Sequence, residues 1–126
     1  MGGLTYDTGA LVAGERNDRK LWALRRRALE RGVRPTIPAG VLAQAWRGGP
    51  QAELSRLVNG CRIEDLNELR SRAAGRACGR AHAADVIDAV VAVGAIARGD
   101  LVVTSDGKDI RHLASSLDAP LEILPI

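Results

Sequence analysis

The sequence is poor in aromatic and sulfur-containing residues. Phe is absent, there are one Tyr and two Trp, and Cys occurs twice. Val, Leu, Ile and Ala must therefore fill the core. Two scattered Cys residues are too few for a disulfide framework or a zinc knuckle. Cys61 and Cys78 are expected to be reduced, buried thiols in a cytoplasmic protein.

Long hydrophobic runs are missing as well. No apolar stretch approaches the roughly 18 residues of a membrane span, and no basic segment followed by an apolar one marks a signal peptide. An apolar share of 46% and a charged share of 26% are typical of a globular chain. We expect residues 1–126 to form a single domain with no membrane segment.

Basic charge is concentrated in one part of the chain. The net charge is only +3, but eight basic residues lie between Glu15 and Arg34, against three acids. Most of these basic residues are Arg, whose planar guanidinium suits phosphate. The segment therefore favours an anionic partner, and a solvated helix face is an equally good interpretation.

Short apolar strands alternate with helical stretches. The predicted strands cover residues 4–6, 33–37, 62–64, 101–103 and 121–124. The predicted helices cover residues 9–13, 18–31, 38–47, 50–57, 66–78 and 110–117, with one more beginning near residue 84. This alternation predicts a three-layer α/β/α fold with a central, mostly parallel sheet.

Acidic residues occupy positions that a core alone would not favour. Asp88 lies in an apolar run at 86–91, while Asp7 and Asp106 follow predicted strands closely. The carboxyl ends of parallel strands lie along one edge of a sheet, where sites form. Asp85, three residues before Asp88, shares its helix face. Such carboxylates would repel one another, so a hard cation such as Mg²⁺ or Mn²⁺ is predicted among them.

Other interpretations exist for several of these residues. Asp7 could be a helix N-cap, and Asp85 could interact with a helix dipole. Asp109 is better interpreted as a cap or a solvated turn residue. His82 suits a loop or cap, and His112 lies in an amphipathic helix with no predicted role.

Three motifs together resemble the PIN domain, and the resemblance spans the whole chain. They are YDTGAL at 6–11, DVIDA at 85–89 and VTSD at 103–106, and the segment AGVLAQAWR at 39–47 is similar to the VapC toxins, the ribonuclease members of toxin–antitoxin pairs. The resemblance implies a PIN-like fold and an endoribonuclease that depends on Mg²⁺ or Mn²⁺. It also implies a VapB-like antitoxin partner, a homodimer, and RNA products with a 5′-phosphate and a 3′-hydroxyl.

The resemblance also assigns residues to roles. Asp7, Asp88 and Asp106 match catalytic, metal-binding acids, and Asp85 is an additional candidate ligand. The hydroxyl residue beside the last acid is matched by Thr104 or Ser105, and Arg47 and Arg111 are candidates for holding RNA phosphates.

One position departs from the family pattern. Gln44 occupies the place of a Glu on the helix after the second strand. Gln keeps the oxygen but loses the charge, so activity is expected to be reduced, lost, or dependent on Asp85. A PIN-fold module that binds RNA or a partner without catalysis is therefore one alternative. A phosphoacceptor receiver domain is another, although Asp7 is single and Lys108 follows Asp106 too closely for that pattern.

Overall fold

The computed structural model describes residues 2–126, within which seven helices alternate with five short strands. The strands are β1 (Leu4–Tyr6), β2 (Thr36–Pro38), β3 (Arg62–Glu64), β4 (Leu101–Thr104) and β5 (Ile123–Pro125). The helices are α1 (Thr8–Glu15), α2 (Arg19–Glu30), α3 (Ala39–Ala45), α4 (Ala52–Asn59), α5 (Glu68–Ala81), α6 (Val86–Arg98) and α7 (Lys108–Ser116).

The strands form one all-parallel sheet in the order β3-β2-β1-β4-β5. The central strand β1 pairs with β2 and β4, so that Thr5 lies opposite both Thr36 and Val102. Parallel neighbours require crossover connections, and these are the helices. The structure confirms the predicted α/β/α fold with its central parallel sheet.

The helices form two layers. Helix α1 packs on β1 and β4 and contacts α2, α3 and α4, whereas α6 packs on β1, β2 and β4 with α5 and α7 beside it. The core between them is almost entirely aliphatic, as the shortage of aromatic residues predicted. Its largest fully buried side chains are Tyr6, Leu11, Leu21, Ile37, Val41, Leu54, Leu57, Val90, Val91, Val102, Ile110 and Leu113.

A polar network crosses the sheet at the end of α6. The guanidinium of Arg98 donates to Glu64 Oε2 at 2.5 Å, Asp100 Oδ2 at 2.8 Å and Thr5 Oγ1 at 2.9 Å. Burial alone would raise the pKa of Asp100, but hydrogen bonds from Arg98, Thr5 and Gly3 outweigh it and lower that pKa. Arg98 therefore connects β1, β3 and the start of β4.

Several predicted boundaries were wrong. The second strand runs over Thr36–Pro38 rather than 33–37, because Pro38 keeps an extended ψ of 140° and serves as the N-cap of α3 instead of its first turn. The last strand is Ile123–Pro125 rather than 121–124. Helix α5 continues through the predicted connector to Ala81 and ends where His82 takes a left-handed conformation, with φ 53°.

Two further observations bear on the predicted environment. No helix within residues 2–126 is long and apolar enough to cross a membrane. Both cysteines are free thiols. Cys61 is buried as predicted, while Cys78 on α5 is only partly buried.

Candidate functional site: an acidic pocket at the edge of the sheet

Asp7 follows the central strand and is nearly buried, with 7% of its surface exposed. It is also the N-cap of α1, because its Oδ1 accepts a 2.7 Å hydrogen bond from the Thr8 amide. Its Oδ2 accepts a 2.8 Å hydrogen bond from Thr104 Oγ1. Burial raises the pKa of Asp7, and these two hydrogen bonds oppose that rise. The capping interpretation is therefore correct, but Asp7 also faces the other acids.

Asp85 and Asp88 lie at the start of α6. Asp85 is the N-cap and accepts a 3.0 Å hydrogen bond from the Asp88 amide. The apolar run at 86–91 is not buried in its first turn, since Val86 is 51% exposed and Asp88 is half-buried. The helix becomes buried from Ala89 onward, where it packs on the sheet.

Asp106 and Asp109 lie around the turn between β4 and α7. The Asp106 amide donates a 3.2 Å hydrogen bond to Thr104 Oγ1. The side-chain Oδ1 of Asp106 accepts a 3.3 Å hydrogen bond from the Lys108 amide. Asp109 lies in the first turn of α7. Both acids are exposed, as is Ser105. Thr104, rather than Ser105, is the hydroxyl residue that contacts the acids.

These acids influence one another's ionisation. The pKa of Asp88 is raised to about 6, first by burial and then by the charges of Asp85, Asp7, Asp109 and Asp106. Within residues 2–126, none of the five forms an ion pair with Lys or Arg. Five carboxylates thus lie near enough to repel one another at the carboxyl edge of β1 and β4, although two of them, Asp106 and Asp109, are exposed. From the sequence, Asp109 is better interpreted as a cap or a solvated turn residue, although its three-residue spacing from Asp106 matches that of Asp85 and Asp88.

The donors in this pocket suit a hard cation, because they are carboxylate oxygens without His or Cys. As the side chains lie, no three Asp, Glu, His or Cys residues within 2–126 are grouped closely enough to hold an ion. Coordination by three carboxylates would therefore require side-chain rotation, which the exposed position of Asp106 permits.

Gln44 contacts the residue that follows Asp7. Its Oε1 accepts a 2.5 Å hydrogen bond from Thr8 Oγ1, and Thr8 is the neighbour of Asp7. Helix α3, which carries Gln44, packs against both α1 and α6. Gly40 lies at the second contact, where an added Cβ would be 2.6 Å from Ile87 Cδ1 and the Ile87 side chain would have to shift.

The remaining candidates lie outside this group. Arg47 uses its guanidinium to bind the carbonyls of Ala43 and Trp46 at the end of α3. Arg111 is exposed on α7. His82 ends α5, and the ring of His112 bonds Ala81 O at 2.8 Å, which gives both histidines structural roles.

The basic segment forms the exposed face of α2 and its flanks. Lys20 donates to Pro125 O at the carboxyl end of β5, one strand from Thr104. Further along the helix, the guanidinium of Arg56 lies 3.9 Å from the centre of the Trp22 ring. None of the basic residues between 16 and 34 forms an ion pair within residues 2–126. This face thus carries uncompensated positive charge beginning near the acidic pocket.

The fold and the pocket define an α/β/α protein with clustered acids at the carboxyl edge of its central strands. No family model and no curated protein matches the sequence. Solved structures do match. The crystal structure of VapBC2 from Rickettsia felis bound to a promoter DNA fragment superposes with a TM-score of 0.73 and 15% identity, covering 98% of both chains.

Two further structures agree with this match. DNA-bound VapBC from Salmonella typhimurium gives a TM-score of 0.71 at 17% identity, covering 99% of this chain and 98% of the other. PAE2754 from Pyrobaculum aerophilum gives a TM-score of 0.64 at 15% identity, covering 96% of this chain and 83% of the other. At such low identity the likeness concerns the fold alone, and the chain shares the fold found in these VapBC structures, as the resemblance predicted.

Proposed function

We propose that this chain is a metal-dependent endoribonuclease and the toxin of a VapBC-type toxin–antitoxin pair. The observation that carries the proposal is the gathering of five acids near the carboxyl edge of β1 and β4, none of them ion-paired within residues 2–126. Burial first, and then the charges of the other four acids, raise the pKa of Asp88 to about 6. Strongly perturbed acids in one pocket are characteristic of functional sites. The fold shared with the two VapBC structures supports the same assignment.

Asp7, Asp88 and Asp106 are the proposed metal-binding and catalytic acids, with Asp85 and Asp109 as further acids at the rim. Mg²⁺ or Mn²⁺, when bound, supplies a Lewis acid that lowers the pKa of water and neutralises charge on the phosphate. Thr104 holds Asp7 with its carboxylate facing the pocket. The residues of the chain thereby fix the position of the negative charge that attracts the ion.

RNA is the proposed substrate, and the uncompensated face of α2 is the proposed contact for its backbone. Phosphate contacts of this kind are independent of sequence and weaken as salt is raised. Arg47 and Arg111 remain candidates for further phosphate contacts, with Arg47 partly engaged by its own helix.

The proposed partners are a VapB-like antitoxin and a second copy of the chain. The neighbouring structures contain VapBC with DNA, which supports an antitoxin partner for this chain. We propose that residues 1–126 act as a single cytoplasmic domain in this assembly.

The test of this function is cleavage of structured RNA by the purified protein with Mg²⁺ or Mn²⁺. EDTA and Asp7→Asn should each abolish cleavage, while Asp118→Asn, at a left-handed position that Asn tolerates, should not. Cleavage that persists in EDTA, or full activity of Asp7→Asn, would contradict the metal-site assignment.

A non-catalytic PIN-fold binding module is the second candidate. It is favoured by Gln44 in place of a carboxylate and by the separation of the acids as they lie. RNA binding without cleavage in either metal would support it. A receiver domain is disfavoured by the strand order β3-β2-β1-β4-β5, because receivers have the order 2-1-3-4-5.

A further inference from the structure

The side-chain oxygen and nitrogen of Gln44 differ in their hydrogen bonding. Its oxygen, Oε1, accepts a 2.5 Å hydrogen bond from Thr8 Oγ1 and is therefore bound within the protein. The nitrogen Nε2 carries two donors, and the Thr8 contact is the one side-chain hydrogen bond of Gln44 within residues 2–126. Since Gln44 is exposed, these donors are available to a ligand.

The Gln44 amide nitrogen lies near the acidic residues, where it is a neutral hydrogen-bond donor. Thr8, which binds Gln44, also donates its amide to Asp7 Oδ1 at 2.7 Å, so Gln44 lies at the rim of the acidic pocket. The pocket itself offers carboxylate acceptors, which repel an anion. A neutral donor at the rim is the kind of group that binds an anionic oxygen there. A carboxylate at position 44 would instead add one more acid to the five.

We propose that Gln44 positions a phosphate oxygen of the RNA backbone through Nε2 and does not bind the metal, while Thr8 fixes the orientation of its amide. This inference rests on the proposed ribonuclease function for the identity of the anion. Gln44, which replaces the Glu of the family pattern, would then act as a hydrogen-bond donor that positions the substrate.

The experiment separates metal binding from RNA binding. Mn²⁺ affinity is measured by titration calorimetry without RNA. The affinity for a fluorescent hairpin RNA is measured by anisotropy with Ca²⁺, another hard cation that takes oxygen ligands. We expect Gln44→Ala to leave Mn²⁺ affinity within about twofold of the wild type and to weaken RNA binding about tenfold, the loss of one hydrogen bond to a charged group. Gln44→Glu should bind Mn²⁺ more tightly and RNA at least as weakly as Gln44→Ala.

Thr8 variants test the orientation. Thr8→Val should weaken RNA binding toward the Gln44→Ala level, and the double variant should be no weaker than Gln44→Ala, because the two residues act as a unit. Thr8→Ser retains the hydroxyl and should restore binding relative to Thr8→Val. Circular dichroism checks that each variant is folded.

Two results would overturn the inference. A tenfold loss of Mn²⁺ affinity in Gln44→Ala would show that Gln44 is a metal ligand. Wild-type RNA affinity in Gln44→Glu would show that RNA binding does not require a hydrogen-bond donor at position 44. A wild-type protein that binds RNA but does not cleave it in Mg²⁺ or Mn²⁺ contradicts the ribonuclease proposal alone. The binding measurements on Gln44 still decide the inference in that case.

Discussion

Thr104 donates a 2.8 Å hydrogen bond from its Oγ1 to Oδ2 of Asp7, which joins the last residue of β4 to the residue after β1. The Thr104 side chain is buried, and the same hydroxyl accepts the Asp106 amide at 3.2 Å. One short side chain therefore orders both acids that follow central strands. Groups that hold proposed ligands in this way influence metal affinity without touching the metal.

The first prediction concerns Thr104→Val. The variant keeps the shape but removes the donor to Asp7, so the pKa of Asp7 should rise further. Mn²⁺ affinity, measured by calorimetry near neutral pH, should fall about 10- to 100-fold. Thr104→Ser retains the hydroxyl and serves as the control. Equal Mn²⁺ affinity in the Val and Ser variants would show that this hydrogen bond does not support the site.

The second prediction follows from the raised pKa of Asp88. In the folded chain this pKa is about 6, above the value of roughly 3.9 in an unfolded chain. The folded state therefore binds the proton more tightly, and this contribution to stability is lost as pH rises from about 4 through 6. In EDTA, Asp88→Asn should raise the melting temperature at pH 7.5 by about 2–5 °C, with the difference shrinking toward pH 4.

Its control is the Asp118→Asn variant, which lies outside the acidic pocket and should follow the wild-type curve. Saturating Mn²⁺ should remove the advantage of Asp88→Asn, because an ion bound to the native state stabilises the wild type. If Asp88→Asn and the wild type melt together at every pH, Asp88 does not carry the raised pKa.

The fold was predictable because its signals are local. Most strands lie in short apolar runs, with β3 (Arg62–Glu64) as the exception, and helices with polar caps such as Asp18 and Asp85 separate them. Asp7, Asp88 and Asp106 were placed in one pocket because strand ends in a parallel sheet share an edge. These predictions required only chain order and the general rule for α/β sheets.

Other features depend on tertiary contacts that have no local signal. The effect of Asp109 on the ionisation of Asp88 was not predicted, because only the folded chain brings the two charges near each other. The Arg98 network was not predicted either, since Thr5, Glu64 and Arg98 lie far apart in sequence. The partial exposure of Asp88 was not predicted either, since it depends on how much of the first turn of α6 the folded chain covers.

The third prediction concerns this network. Arg98→Met would leave Glu64 and the 9%-exposed Asp100 without their cation, so unfolding free energy should fall by about 3 kcal/mol. Urea unfolding measures the change. The control is Arg72→Met, since the ion pair of Arg72 with Glu68 is mostly exposed and contributes little.

The same variant should alter the acid dependence of stability. The pKa of Asp100 is lowered in the folded chain, so its contribution is present above the unfolded value of roughly 3.9 and is lost as pH falls through the lower folded value. The difference in unfolding free energy between the wild type and Arg98→Met should therefore become smaller below about pH 4. A constant difference at all pH values would mean that the ionised Asp100 is not what Arg98 stabilises.

The fourth prediction tests the close approach of α1 to the turn after β4. A Cβ on Gly9 would lie 2.2 Å from Ser105 Oγ and 2.8 Å from the Ser105 backbone nitrogen, so the backbone must move. Because Asp106 is the next residue, Gly9→Ala should displace it relative to Asp7 and weaken Mn²⁺ binding at least tenfold. Gly75→Ala is the matched control, since that glycine lies within α5 with nothing within 4 Å of the added Cβ, and it should stabilise the chain by about 0.5–1 kcal/mol. If Gly9→Ala binds Mn²⁺ as tightly as Gly75→Ala does, the position of the turn after β4 does not determine the metal site.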